Sequence, residues 1–88
     1  MICVERLARR PSVYIFSDGL QESELLVFAA AVGLPAHWRR SEGAPEDRFI
    51  ADLELARLAL IHGARKVSRA EACEIWDRKR RLARRAAA

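Results

Sequence analysis

The chain has 88 residues and a mass of 10.0 kDa, which is room for one domain. Hydrophobic residues make up 51% and charged residues 32%, enough for a core under a solvated surface, and this excludes both a disordered tail and a multidomain enzyme. The formal charge is +4 and the pI is near 9.8, so acidic partners enter the reading at once.

The charge is unevenly placed. Residues 1–64 carry seven arginines and nine acids, whereas residues 65–88 carry nine Lys/Arg against Glu71, Glu74 and Asp77. The basicity belongs to the last segment, chiefly Arg78, Lys79, Arg80, Arg81, Arg84 and Arg85. Such a block attracts phosphates, acidic protein surfaces or anionic lipid. It is equally what the C-terminal end of an ordinary helix carries against its dipole.

No stretch reaches the roughly 18 apolar residues of a membrane span, and the richest, Leu25 to Leu34, is broken by Gly33. Met1 to Arg10 lacks the apolar run of a secretory signal. Two cysteines, Cys3 and Cys73, are too few for a disulfide scaffold. The expectation is a small, soluble, cytoplasmic α/β protein.

In chain order, Ser12-Val-Tyr-Ile-Phe-Ser17 reads as a buried strand closed by the Asp18-Gly19 turn. Gln21 to Val32 reads as a helix, with Glu22 and Glu24 in its first turn and an apolar stripe of Leu25, Phe28, Ala29 and Val32. Gly33 then takes the left-handed cap position and Pro35 stops the helix. Ala36 to Arg40 reads as a weak strand and Ser41 to Pro45 as a loop. A second helix ends at Gly63; it starts either at Pro45, followed by Glu46 and Asp47, or at Asp52 acting as the cap. Lys66-Val67 is a short strand, and Ser68 to Glu71 matches the reciprocal capping box of a third helix that buries Ala72, Ile75 and Trp76, with the stem of Lys79 and Leu82 as further candidates for that side.

This alternation predicts a single α/β domain over residues 1–85, with a short, mostly parallel sheet of about three strands and three helices, and a frayed tail at 86–88. Three strands leave a face or an edge poorly covered, for which a homodimer or another partner is the expected remedy.

Asp18, Glu24-Leu-Leu-Val-Phe-Ala29, Val32-Gly-Leu34, Trp38, Leu58-Ala59 and Gly63-Ala64 resemble, in type and spacing, a family of small phage and prophage proteins, the domain-of-unknown-function family 4031. The resemblance covers about residues 14–76 and implies a shared fold and a mobile-element origin. The family's polar signature is mostly missing. Its Glu-Leu-His histidine falls on Leu26, and its His-Tyr-Asp triplet falls on Arg48, Phe49 and Ile50, whereas Asp18 and Trp38 remain.

Candidate chemistry is sparse. His37, His62, Cys3 and Cys73 show no metal-ligand spacing, and neither a Walker motif nor a dinucleotide fingerprint is present, so no metal, cofactor or catalytic residue is expected. Cys73 and Trp76 read as core. Asp18, at the end of a strand, is either a turn residue or the floor of a crevice shared with Arg48. Trp38-Arg39-Arg40 combines stacking and anion contacts, although Trp38 alone would also suit a core.

The expected activity is therefore non-enzymatic. A small phage or mobile-element protein would occupy a surface of a host protein or nucleoprotein complex, of the nucleic-acid-handling defence kind, through Trp38, Arg39, Arg40, Arg78, Arg81, Arg84 and Arg85. Two alternatives stand beside it. One is non-specific nucleic-acid binding by the basic helix. The other is a degenerate relative of an enzyme, holding a phosphorylated ligand near Asp18, Arg39, Arg40 and Arg48. No membrane partner is expected.

Overall fold

The structure, a computed structural model, describes residues 1–7 and 9–87. Ile2-Cys-Val-Glu-Arg6 and Ser12-Val-Tyr-Ile-Phe-Ser17 form strands β1 (Ile2–Arg6) and β2 (Ser12–Ser17). They pair antiparallel from Ile2↔Ser17 to Arg6↔Val13. Helix α1 (Glu22–Val32), a 3-10 turn at Ala36–Trp38 and strand β3 (Arg39–Arg40) follow. Strand β4 (Arg48–Asp52) runs directly into helix α2 (Leu53–Ile61), and strand β5 (Arg65–Val67) leads into helix α3 (Arg69–Ala87).

The α/β class is as expected, but the sheet is not. It has five strands in the order β3-β4-β2-β1-β5, and it is mixed: only β1 and β5 pair parallel. The loop between β1 and β2 is too short for the crossover that a parallel neighbour requires, so those two strands form a hairpin. β1 and β4 are the strands missing from the sequence reading. Glu5 and Arg6 interrupt the apolar pattern of the first. The second sits so close to a helix that Pro45-Glu46-Asp47 looks like that helix's first turn. In fact the Ala44 amide returns to the Ser41 carbonyl and the Asp47 amide to the Ala44 carbonyl, so this segment is a pair of turns. The weak strand expected at Ala36 to Arg40 reduces to its last two residues.

Alternation along the strands sorts the side chains onto two faces. Ile2, Val4, Val13, Ile15, Phe49 and Ala51 pack with Leu25, Ala29 and Val32 of α1 and Ala56 and Ala59 of α2. Cys3, Phe16 and Val67 point the other way, onto Ala72, Ile75 and Trp76 of α3. The Phe16 and Trp76 rings lie 4.3 Å apart. Helices thus pack on both faces, two on one side and α3 alone on the other, where the sheet stays open beside Tyr14. The edge strands β3 and β5 are only two and three residues long and carry arginine and lysine, which blunts edge pairing.

The local signals work as chemistry predicts. Gly33 adopts φ +86°, and its amide and that of Leu34 both return to the Ala29 carbonyl. Asp52 is the cap of α2, accepting from the Leu55 amide at 2.9 Å. Ser68 and Glu71 exchange bonds at 3.1 and 3.3 Å at the start of α3. The tail expected from residue 86 is helical at Ala86 and Ala87, and Ala88 lies outside the described residues. Among the described residues no helix is long and apolar enough to cross a membrane.

Two substitutions separate the local from the tertiary contribution. Asp52→Ala should lower the unfolding free energy by about 1 kcal/mol in a denaturant titration, the value of one cap. Phe16→Ala should lower it by about 3 to 5 kcal/mol, because it empties the centre of the α3 interface.

Candidate functional site

The arginines expected as contacts fall into two groups, those the fold engages and those it leaves unpaired; Arg6, Arg9, Arg10 and Arg57, elsewhere on the chain, are exposed and, among the described residues, unpaired as well. Arg39 belongs to the first. Its Nε and Nη2 donate to the two Asp47 oxygens at 2.9 and 2.6 Å, and Nη2 also reaches Glu22 at 2.7 Å. Asp47 accepts a further bond from the Gly43 amide at 3.0 Å. Both side chains of the pair are only 9% exposed. The pairing raises the Arg39 pKa, through its bonds to Asp47 first and Glu22 second. Burial acts to raise the Asp47 pKa, but the bonds from Arg39 and the Gly43 amide prevail and leave it below the usual carboxylate value.

Arg40 turns back on its own chain, donating to the carbonyls of His37 at 2.8 Å and Arg39 at 3.0 Å. Trp38 is half-buried against the α1–α2 core, with the His37 ring edge-on to it. Of the expected contact patch, Arg39 is committed to a structural lock with Asp47 and Glu22, whereas Arg40 stays exposed and Trp38 half-buried. The lock closes the 41–47 loop onto α1 and β4.

Arg78, Arg81, Arg84 and Arg85 form the second group. All four are exposed on α3, and among the described residues none makes an ion pair or a side-chain hydrogen bond. Their neighbour Arg80 is engaged, donating to Glu46 at 2.8 Å and Asp77 at 3.0 Å. Between them Lys79 points inward and is buried. Its Nζ donates to the Ser17 carbonyl at 2.7 Å and lies 4.9 Å from the Trp76 ring centroid. Burial lowers its pKa, against the opposing pull of Asp47 and Asp18. Lys79 thus anchors the middle of α3, and the arginines beyond it stand clear.

Asp18 and Arg48, expected to share a crevice, lie in different clefts. Asp18 accepts from the Met1 amino group at 2.7 Å. It follows β2, whose two neighbours are both antiparallel, so the ligand crevice of an open parallel sheet does not arise there. Arg48 lies over the Tyr14 ring, 4.8 Å from its centroid, and donates to the Glu46 carbonyl at 3.0 Å. Leu26, on α1, and Ile50, facing the α3 side with Tyr14, are on opposite faces of the sheet.

Several concavities accompany these groups, among them one of about 240 Å³ that Asp18 lines with Arg65 and Arg78. Another of about 370 Å³, at the end of the sheet, lies between the start of α1, the 43–45 turn, Asp47, Lys79 and the last turns of α3. Two more, of about 360 and 220 Å³, lie beside α3 and share Tyr14 and Arg69. Among the described residues no group of three or more His, Cys, Asp or Glu side chains is placed to hold a metal ion.

Glu5, Tyr14 and Arg69 are site-forming residues that the sequence did not single out; Lys79 is buried along α3 as its stem was expected to be, whereas Leu82, expected beside it, is exposed. The alternation of Ile2 to Arg6 was the available signal: it places Glu5 on a buried face once that segment is seen as a strand. Comparison with protein-family models, curated proteins and solved structures finds no match to this chain.

The Arg39 lock makes two predictions. Arg39→Ala should destabilise the fold by about 3 to 5 kcal/mol in chemical unfolding, because it leaves Asp47 buried without its cation. The folded Asp47 pKa lies below the unfolded one, so its contribution is complete above about pH 4 and is lost as pH falls through the folded value. Asp47→Asn should accordingly flatten the acid limb of the stability profile.

Proposed function

We infer that this protein acts by binding rather than catalysis, docking the arginine rows of α3 onto an acidic surface of a host protein or nucleoprotein complex. The observation that carries this reading is that four unpaired arginines, Arg78, Arg81, Arg84 and Arg85, share one exposed side of a single helix, whereas Arg39, Arg65, Arg69 and Arg80 are engaged. Arg78, Arg81, Arg84 and Arg85 are spaced three and four apart, so they repel one another along the helix. The dipole offsets this for Arg84 and Arg85 in the last turn, but not for Arg78, which lies more than two turns before the helix end. Glu74 and Asp77, four residues before Arg78 and Arg81, give those two modest helical support, and Arg84 and Arg85 have no such acid; an acidic partner would engage the whole row. Charge of this kind steers encounter and selects the partner.

The likeness of the hydrophobic skeleton to the phage and prophage family supports a mobile-element origin, where a small chain need only cover a working surface of a host complex. A nucleic-acid-handling defence complex is the class of target that an arginine row suits best. Cys3 is buried, whereas Cys73, read from the sequence as core, is exposed on α3. The same row could track phosphates directly, and that is the second reading.

The test is retention from a host lysate, with and without nuclease, by the parent chain and by a triple Arg78→Glu, Arg81→Glu, Arg85→Glu variant. The parent should retain a protein complex after nuclease and the variant should not. Because the three side chains are exposed and unpaired, the variant's stability should change by no more than about 0.5 kcal/mol per site. Retention lost with nuclease would favour the phosphate reading. In that case affinity for nucleic acid should fall roughly a hundredfold between about 50 and 200 mM salt, as four phosphate contacts require. Equal retention by parent and variant would overturn both.

A further inference from the structure

Helix α3 covers Cys3, Phe16 and Val67 but leaves the sheet open beside Tyr14, and the two concavities that share Tyr14 and Arg69 lie there. Glu5 lines the larger one. It sits on an interior strand, directly opposite Tyr14 of β2 on one side and Val67 of β5 on the other. Its side chain is only 2% exposed. One oxygen, Oε2, accepts from Arg69 Nη1 at 3.0 Å. The other, Oε1, is buried with no hydrogen-bond partner among the described residues.

A buried acceptor left empty is a costly and uncommon feature of a fold. The packing does not call for it, because Cys3, Phe16 and Val67 beside it are apolar. The surroundings specify what could fill it. Tyr14 presents a half-buried ring next to Glu5, with the Arg48 guanidinium 4.8 Å from its centroid. Arg6, Arg10 and Arg69 line the same concavity. A cationic ligand would meet those guanidiniums, and a bare anion would meet the Glu5 carboxylate. The site instead matches a molecule with three properties: a neutral N–H donor, a flat face, and an anionic group some distance from the donor.

We propose that this groove binds a nucleotide whose base carries an exocyclic amine, with the amine donating to Glu5 Oε1, the base against Tyr14, and the phosphate on Arg10 and Arg6. The concavity of about 360 Å³ lies within the range of small-ligand sites, and the adjoining 220 Å³ extends it past Tyr14. Arg69 closes Glu5 from the solvent side, and its own side chain is 72% exposed. A shift of that exposed guanidinium which keeps its bond to Oε2 would open the way to Oε1 and leave its other nitrogens for the phosphate. Uracil fits poorly, because its N3–H is flanked by two carbonyl oxygens that would face the carboxylate. An exocyclic amine has no such pair. The nucleotide can come from a free mononucleotide or from an unpaired position in a single strand.

Titration of the full chain, followed by backbone amide chemical shifts and by the fluorescence of Trp76 at the groove wall, tests this. The probes are AMP, CMP, UMP, ribose 5-phosphate, inorganic phosphate and a short oligoadenylate. AMP and CMP should bind at least tenfold more tightly than UMP, ribose 5-phosphate or inorganic phosphate, with shifts centred on Glu5, Tyr14 and Arg69. Oligoadenylate binding more tightly than AMP would assign the ligand to a single strand; equal binding would assign it to the free nucleotide. Tyr14→Leu should weaken AMP binding about tenfold, as loss of one stacked base predicts. Glu5→Gln should remove the preference over UMP, and Arg10→Ser provides a third variant where Glu5→Gln fails to fold. Equal affinity for AMP, ribose 5-phosphate and inorganic phosphate would overturn the proposal. So would the absence of binding by any probe at millimolar concentration, or AMP binding that is indifferent to Tyr14→Leu and Arg10→Ser. The groove is separate from the Arg78, Arg81 and Arg85 row, so reversing those charges should leave AMP binding intact and the two readings fail independently.

Discussion

The burial of β2 on both of its faces is the constraint from which the rest of the fold follows. Val13 and Ile15 point to one side and Phe16 to the other, all within 2% of complete burial. A strand of that kind needs a neighbour on each edge and a helix layer on each face. β1 and β4 supply the edges, α1 and α2 one face, and α3 the other. A chain of only 88 residues has little to spare after that, which explains the very short edge strands.

The same economy shapes the polar groups. With so little core, the 41–47 loop is held by charge rather than by apolar packing, and the Arg39–Asp47 pair with Glu22 does that work. Lys79 is the corresponding device on the other face. It tethers α3 to the Ser17 carbonyl through a buried ammonium supported by aromatic rings. Both groups carry full charge in a nearly dry place, so both depend on their partners being present. What remains after these commitments is a helix face of unpaired arginines and a sheet groove with one unsatisfied carboxylate oxygen.

Those two features are of different kinds. The helix face is a field: four like charges whose value depends on a partner's opposite charge and on salt. The groove is a shape with a specific hydrogen-bonding demand, buried enough for geometry to matter more than ionic strength. A binding protein can use both, the first to find an acidic surface and the second to recognise a particular group on it.

Much of the helical structure was legible in the sequence because helix ends are local chemistry. Gly33, Asp52 and the Ser68–Glu71 box act within four residues of where they stand, so their patterns identify α1, α2 and α3 without reference to the rest of the chain. The exposure of Arg78, Arg81, Arg84 and Arg85 follows likewise from helical periodicity opposite Ala72, Ile75 and Trp76. The sheet is a matter of pairing between distant segments, and only the tertiary structure decided it. β1 and β4 have weak patterns that become strands because β2 lies between them and takes their hydrogen bonds. Trp38-Arg39-Arg40 looked like a surface patch because nothing local reveals that Asp47 and Glu22 converge on Arg39. Glu5 could be placed on the Cys3 side of β1 once that strand was known, but an acceptor without a partner is a property of what surrounds a residue in space, and no local pattern encodes it.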